Sequence, residues 1–205
     1  MRYIIHRGIT SNNIKENTYL SIRNALYDKE ALGVEFDIRL TKDNKIILSH
    51  DSMINLNYIE NMSYRDVIKY KNITTLDKVL DINSNKIFLI DIKTNNNYQE
   101  FSKVLIKYLS NYKDKNIYLA SFDRKIINIL KKNLSNKMGY ISFIYKRNNN
   151  KIELINYKMI SNKRIKRIKN KELFLWTIHT TIEEKEIINK FSNINKYYII
   201  KDKHI

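Results

Sequence analysis

Two short segments restrict what this chain can fold into more than any other feature. In Val34-Glu35-Phe36-Asp37-Ile38-Arg39-Leu40 apolar and charged residues alternate without exception, and Ile90-Asp91-Ile92-Lys93 repeats the pattern. A period of two belongs to a strand, so each segment has one apolar face and one ionisable face. An open sheet with helices on both sides would press the ionisable face against a helix, at roughly several kcal/mol per charge. A closed barrel avoids that cost. Its outer face packs on helices, while its inner face opens into a polar pocket at the C-terminal strand ends.

The rest of the chain supplies elements for such a barrel. Apolar periodicity predicts strands at 3–7, 34–40, 45–49, 87–93, 117–122, 139–145, 157–160, 173–179 and 197–201. Helices are predicted at 17–29, 75–80, 97–109, 124–134 and 182–191, the first with Asn17 and Thr18 as capping candidates. Strand then helix, repeated, predicts an α/β fold, here a compact TIM-type (β/α)8 barrel with some helices short or missing. No linker, repeat or shift of composition divides the 205 residues, so one barrel domain over 1–205 is expected.

Cysteine is absent, which excludes disulfides, thiolate metal sites and a Cys nucleophile, and leaves carboxylates, histidines and hydroxyls to carry any chemistry. There is no apolar run of about 18 residues and no signal-peptide core after Met1, so the expected compartment is the cytoplasm. The 38 Lys and Arg against 21 Asp and Glu give +17, a balance suited to nucleic acid, an anionic membrane or a phosphorylated small molecule. Heavy use of Lys, Asn, Ile and Tyr with no Pro is also what codon bias alone produces, and most of the charge is read that way. The basic stretches 146–151 and 162–171 are expected as solvated loops or a basic helix face. Peripheral contact of the second with anionic lipid is the sharper reading, and no specific nucleic acid is expected.

Ionisable residues collect at the ends of successive predicted strands: His6-Arg7-Gly8, Glu35-Phe36-Asp37, His50-Asp51 and Asp91-Ile92-Lys93. Carboxylates at i and i+2 point the same way, and a third from a neighbouring strand makes an oxygen-rich site for one hard divalent cation, Mg²⁺ or Ca²⁺. Two flanking histidines suit acid and base work near neutral pH, and Arg7 and Lys93 suit an anion. Together these parts describe phosphodiester chemistry. Spacing alone leaves a structural ion-pair network as an open alternative. Only three glycines exist, and Gly8 and Gly33 flank these motifs, where unusual backbone angles or close approach are expected.

The motifs His6-Arg7-Gly8, Glu16-Asn17-Thr18, Glu35 to Asp43 (Glu-x-Asp-x-x-x-Thr-x-Asp) and His50-Asp51 resemble the glycerophosphodiester phosphodiesterase family in order and spacing. Weaker echoes follow in residues 75–80, Asp91-Ile92-Lys93, Ser121-Phe122-Asp123 and Trp176-Thr177. The resemblance implies a TIM-type barrel with a metal on Glu35, Asp37 and Asp91, and His6 and His50 as the acid/base pair. It implies phosphate contacts from Arg7 and Lys93, a substrate role for Glu16, and Trp176 as a pocket wall. The implied reaction converts a glycerophosphodiester into glycerol 3-phosphate and an alcohol, one route passing through a cyclic phosphate.

The sequence also departs from the family's pattern. The third carboxylate is Asp91 where Glu is usual, and Asp91 to Thr94 is similar to the Asp-x-Lys-Thr of sphingomyelinase D-like phospholipases. A lyase acting on lysophospholipids to form cyclic phosphates is therefore one alternative. A basic nucleic-acid or membrane-binding protein without turnover is another. The family's Trp-Thr-Val-Asn stands here as Trp176-Thr177-Ile178-His179, its Thr-Asp-x-Pro as Lys201-Asp202, and the cap insertion is reduced to residues 52–73.

Overall fold

The computed structural model describes residues 3–145, 150–165, 168 and 170–205. In chain order its elements are β1 (Tyr3–Thr10), α1 (Tyr19–Tyr27), β2 (Gly33–Leu40), β3 (Ile46–Leu48), β4 (Met53–Ile54), β5 (Asn57–Tyr58), α2 (Tyr64–Tyr70), α3 (Leu76–Leu80), β6 (Ile87–Ile92), α4 (Tyr98–Leu109), β7 (Ile117–Ser121), α5 (Arg124–Asn133), β8 (Lys137–Ser142), β9 (Ile152–Asn156), α6 (Asn162–Ile165), β10 (Glu172–Ile178), α7 (Thr181–Lys190) and β11 (Tyr197–His204). Strands β1, β2 and β6 to β11 pair in parallel, and contacts of β1 with both β11 and β2 close the ring. The fold is therefore the expected eight-stranded TIM-type barrel. The short β3 adds antiparallel to the C-terminal half of β2.

The alternation that predicted closure is satisfied as expected. Phe36, Ile38 and Ile90 face the helices in one apolar layer with residues such as Ile22, Leu76, Phe101 and Ile127. A second apolar cluster, including Ile4, Leu89, Ala120, Leu154, Phe174 and Ile200, fills the barrel interior. Glu35, Asp37 and Asp91 share that interior and border a cavity at its mouth. Helices are indeed abbreviated: no helix lies between β8 and β9 among the described residues, and α6 has only four residues.

Several boundaries differ from the sequence expectation for identifiable reasons. Helix α1 begins at Tyr19, not residue 17, because Asn17 has φ +54 and Thr18 forms a capping box with Ser21. It ends at Tyr27, where the Asp28 side chain accepts from the Glu30 and Ala31 N–H groups. Residues 157–160, expected as a strand, contain instead a 3-10 turn (Tyr157–Met159), and the strand is Ile152–Asn156. Asn156 sets that boundary by accepting from the Lys158 N–H. Strand β8 stops at Ser142, which leaves Phe143 in a loop at the mouth.

The reduced cap is ordered around its own small core of Ile47, Ile54, Ile59, Met62, Val67 and Ile73. In the basic stretch, Lys163 and Arg164 lie on α6, and Arg164 Nη1 donates to the Tyr145 carbonyl. Lys166, Arg167, Lys169 and residues 146–149 of the predicted basic segments lie outside the described residues. Among the described residues no helix is long and apolar enough to cross a membrane.

Candidate active site

Strand register assembles the site. His6 on β1 stands opposite Glu35 on β2, and Asp37 on β2 stands opposite Asp91 on β6. Carboxylate oxygens of Glu35, Asp37 and Asp91 all lie within 4.8 Å of one another, and all three residues are buried. Lys93 Nζ is 2.5 Å from Asp91 Oδ2 and 3.2 Å from Asp37 Oδ1, while Arg7 Nε is 3.1 Å from Asp37 Oδ2. Asp37 is further held by Asn17, whose amide donates to Oδ2 (2.9 Å) and whose carbonyl oxygen accepts from the Asp37 N–H (3.1 Å).

The backbone of β1 bends to make this possible. Its register with β11 shifts between Ile5 and Ile9, and both Arg7 (φ +53) and Gly8 (φ +86) are left-handed. A Cβ at Gly8 would stand 2.5 Å from the Ser21 carbonyl carbon, so only glycine lets α1 approach. The Arg7 carbonyl accepts from the Asn17 N–H and the Ser21 hydroxyl, and its N–H donates to Glu35 Oε2. A non-glycine residue in this conformation is costly and marks a site where geometry is imposed by its surroundings. Gly33 meets its expectation too, since a Cβ there would stand 2.2 Å from the Ile87 carbonyl oxygen.

Both histidines border the same cavity, about 230 Å³, with Arg7, the three carboxylates and Lys93. His6 Nε2 is 3.9 Å from Glu35 Oε2, and its Nδ1 is 2.7 Å from Asp202 Oδ1. The His50 Nδ1 is 3.1 Å from Asp51 Oδ1, and the His50 carbonyl accepts from Arg39 Nε and Nη2. Glu16 is half exposed and reaches the site through Arg7, whose Nη1 donates to it at 2.9 Å. The opposite wall is apolar: Phe122, Phe143 and Trp176 touch one another with ring centroids 5.3–6.0 Å apart, and Ile141, Leu154 and Ile200 continue it inward. The buried Trp176 Nε1 has no hydrogen-bond partner among the described residues.

The three carboxyl groups are held in unlike electrostatic surroundings. Burial, then repulsion from Asp37 and Asp91, pushes the Glu35 carboxyl well above the usual range. Burial also pushes Asp91 up to about 6, with Asp37 adding and Lys93 opposing. For Asp37 burial is outweighed by Lys93, Arg7 and Asn17, which hold its carboxyl below the usual range. Two cations, Arg7 and Lys93, pair directly with the carboxylates and Arg39 acts on Asp37 and Asp91 from further off, yet the buried Asp91 Oδ1 has no hydrogen-bond donor among the described residues. An all-oxygen, electron-rich set with an unmet lone pair fits a hard divalent cation. A larger groove of about 920 Å³ bordered by Lys15, Tyr19, Tyr70 and Lys71 holds, among the described residues, no histidine and a single carboxylate, Asp81, and lacks these features.

The structure thus brings His6, Arg7, Glu35, Asp37, His50, Asp91, Lys93 and Trp176 together, with Glu16 at one remove. Sequence reasoning missed Asn17 as a clamp on Asp37, Phe122 and Phe143 as pocket walls, and the pair of histidines on Asp202. The signal for Asn17 was present in Glu16-Asn17-Thr18. Phe122 stood in the Ser121-Phe122-Asp123 echo, while Phe143 fell inside the predicted strand 139–145 and gave no hint, because β8 stops at Ser142.

Comparison with known proteins agrees with this geometry. Residues 6–190 match the model of the glycerophosphoryl diester phosphodiesterase family. The chain belongs to that family. A glycerophosphodiester phosphodiesterase of Caldanaerobacter subterraneus is 26% identical over 150 residues, covering 63% of this chain and 61% of that relative, so the match leaves more than a third of it unspanned. Among solved structures, a glycerophosphodiester phosphodiesterase of Parabacteroides distasonis superposes with a TM-score of 0.81 at 18% identity, over 98% of this chain and 92% of the other. That of Thermotoga maritima gives 0.72 at 21%, over 98% and 96%. An Oleispira antarctica phosphodiesterase in complex with its product sn-glycerol-3-phosphate gives 0.83 at 16%, over 98% and 93%. At these identities the likeness to solved structures is one of fold.

Proposed function

We propose that this chain, as one barrel domain, is a divalent-cation-dependent glycerophosphodiester phosphodiesterase that releases glycerol 3-phosphate and an alcohol. The observation that carries the reading is the convergence of Glu35, Asp37 and Asp91 between two histidines in one cavity of a chain of this family. The product bound to the Oleispira antarctica neighbour is consistent with it.

Glu35, Asp37 and Asp91 would hold Mg²⁺ or Ca²⁺, which when bound would neutralise phosphate charge and acidify an oxygen near it. Arg7 and Lys93 bind the phosphate oxygens, and Glu16 keeps the Arg7 guanidinium oriented toward the pocket. One imidazole takes the proton from the attacking substrate hydroxyl as its oxygen bonds to phosphorus. The other gives a proton to the departing alcohol oxygen as that P–O bond breaks. When water opens the resulting cyclic phosphate the two roles reverse. His6 is the more shielded of the two, with its side chain 19% exposed against 43% for His50, so His50 has the readier exchange with solvent. The aromatic wall of Phe122, Phe143 and Trp176 receives the alcohol portion, because the charged wall is taken up by phosphate contacts.

The test is turnover of glycerophosphocholine, glycerophosphoethanolamine, glycerophosphoinositol and lysophospholipid, with Mg²⁺ or Ca²⁺ and with chelator, followed by ³¹P NMR. Glycerol 3-phosphate formed only with the cation, and lost in His6→Ala, is the expected result. A cyclic phosphate left on a lipid as the end product would support the lyase reading instead, and identical behaviour of wild type and His6→Ala would remove the mechanism.

A further inference from the structure

Asp202 sits on β11 where both neighbouring strands are irregular. The register of β1 shifts between Ile5 and Ile9, and that of β10 between Leu175 and Ile178. Its carboxylate lies between the two irregularities and touches a histidine from each side: Oδ1 is 2.7 Å from His6 Nδ1, and Oδ2 is 2.5 Å from His179 Nδ1. His179 is itself fixed, since its N–H donates to Glu183 Oε2, part of the Thr180–Glu183 capping box of α7.

Partial burial pushes the Asp202 carboxyl upward, yet the hydrogen bonds from His6 and His179 outweigh it and hold the group below the usual range. An ionised carboxylate only accepts hydrogen bonds, so both Nδ1 atoms must carry the hydrogen. For His6 this leaves the Nε2 lone pair bare, on the side of Glu35 and the cavity. An Nε2–H tautomer would present a hydrogen where a proton acceptor is needed.

We propose that Asp202 and His179 are positioning residues: Asp202 fixes the tautomer and ring orientation of His6, and His179 holds Asp202 in place from the solvent side. The inference rests on His6 acting as an acid/base group. Histidine Nδ1 and the Nδ2 of an asparagine offer an N–H at equivalent positions on their side chains. The requirement at this position is thus a short donor aimed at the β11 carboxylate, which histidine meets.

The deciding measurement is ¹⁵N NMR of the imidazole nitrogens in metal-free protein, at a pH where the rings are neutral, combined with steady-state kinetics on the diester that turns over fastest. Wild type is expected to show His6 as the Nδ1–H tautomer. Asp202→Asn, whose amide can donate to Nδ1, shifts His6 toward Nε2–H and lowers kcat by about 10-fold to 100-fold with KM within about twofold. Asp202→Ala gives the same direction should the amide variant fold poorly. His179→Ala loosens the tautomer preference and lowers kcat less, and His179→Asn restores both. A His6 ring that keeps Nδ1–H in both Asp202 variants overturns the role of Asp202. A His179→Ala protein with wild-type tautomer and kcat overturns the role of His179. If no diester is hydrolysed, the proposed function fails, while the NMR result still decides whether the carboxylate sets the tautomer.

Discussion

The two sides of the barrel mouth are built on opposite principles. One side, from β1, β2, β6 and the turn after β3, carries His6, Arg7, Glu35, Asp37, His50, Asp91 and Lys93, nearly all engaged in short polar contacts. The other side, from β8 to β11 and the loops after β7 and β8, presents Phe122, Ile141, Phe143, Leu154, Trp176 and Ile200, and its Trp176 N–H is unpaired among the described residues. A charged wall needs fixed distances, because each ion pair and hydrogen bond decays steeply with misplacement. An apolar wall needs only complementary shape, and tolerates exchange of one hydrophobe for another. Under the proposed function, chemistry is tied to particular side chains on the first side, and substrate choice to surface on the second.

That contrast predicts that substitutions on the charged side stop turnover of every diester alike. His6→Ala, His50→Ala or Asp37→Asn should each lower kcat/KM by about 10²-fold to 10⁴-fold across substrates, measured by glycerol 3-phosphate release. Residual activity that differs strongly between substrates would show that the two sides are not separable.

A second, smaller effect concerns stability. In the metal-free chain Glu35 and Asp91 are more easily protonated folded than unfolded, Asp91 at about 6 against 3.8. Between those values the folded chain binds more protons, so the stability these groups contribute falls as pH rises through the window. A cation needs the ionised carboxylates, and at 100 times its dissociation constant it adds about 2.7 kcal/mol. The upward shift of the melting temperature by Mg²⁺ or Ca²⁺ over chelator should accordingly be larger at pH 7 than at pH 5. An equal shift at both would argue that the cation binds elsewhere.

The smallest effect is expected on the apolar side. Phe143→Ser removes a ring that is 59% exposed and costs little stability, but takes away contact area for the alcohol. KM for diesters with apolar alcohols should rise by about 10-fold, from the loss of roughly 1–2 kcal/mol of apolar burial, while glycerophosphoethanolamine changes less than about twofold. A uniform loss across substrates would assign Phe143 to the chemistry instead.

The same contrast explains what could be read from the sequence. Glu35-Phe36-Asp37, His50-Asp51 and Asp91-Ile92-Lys93 were legible because strand periodicity alone dictates which of their side chains share a face, and barrel closure followed from where those charges had to go. His6 was legible through its neighbours Arg7 and Gly8, whose left-handed backbone the glycine announces. The role of Asp202 was not, because it meets His6 across 196 residues through closure of the ring, and the remnant motif Lys201-Asp202 does not say which side chain its carboxylate reaches. Phe122 and Phe143 look like ordinary strand residues until the ends of β7 and β8 are known to stop short of them. The misplaced strand at 157–160 shows the same limit: Tyr157 to Ile160 has strand-like residues, and a single side-chain contact from Asn156 turns the chain.

The chemistry proposed for the charged side depends on Glu35, Asp37 and Asp91 sharing one cation. Calorimetric titration of chelator-treated protein with Ca²⁺ and with Mg²⁺ tests this most directly. One binding site per chain in the wild type, lost or weakened at least about tenfold in both Asp37→Asn and Asp91→Asn, is the predicted result. Unchanged binding in both variants, or no binding to a correctly folded wild type, would contradict it.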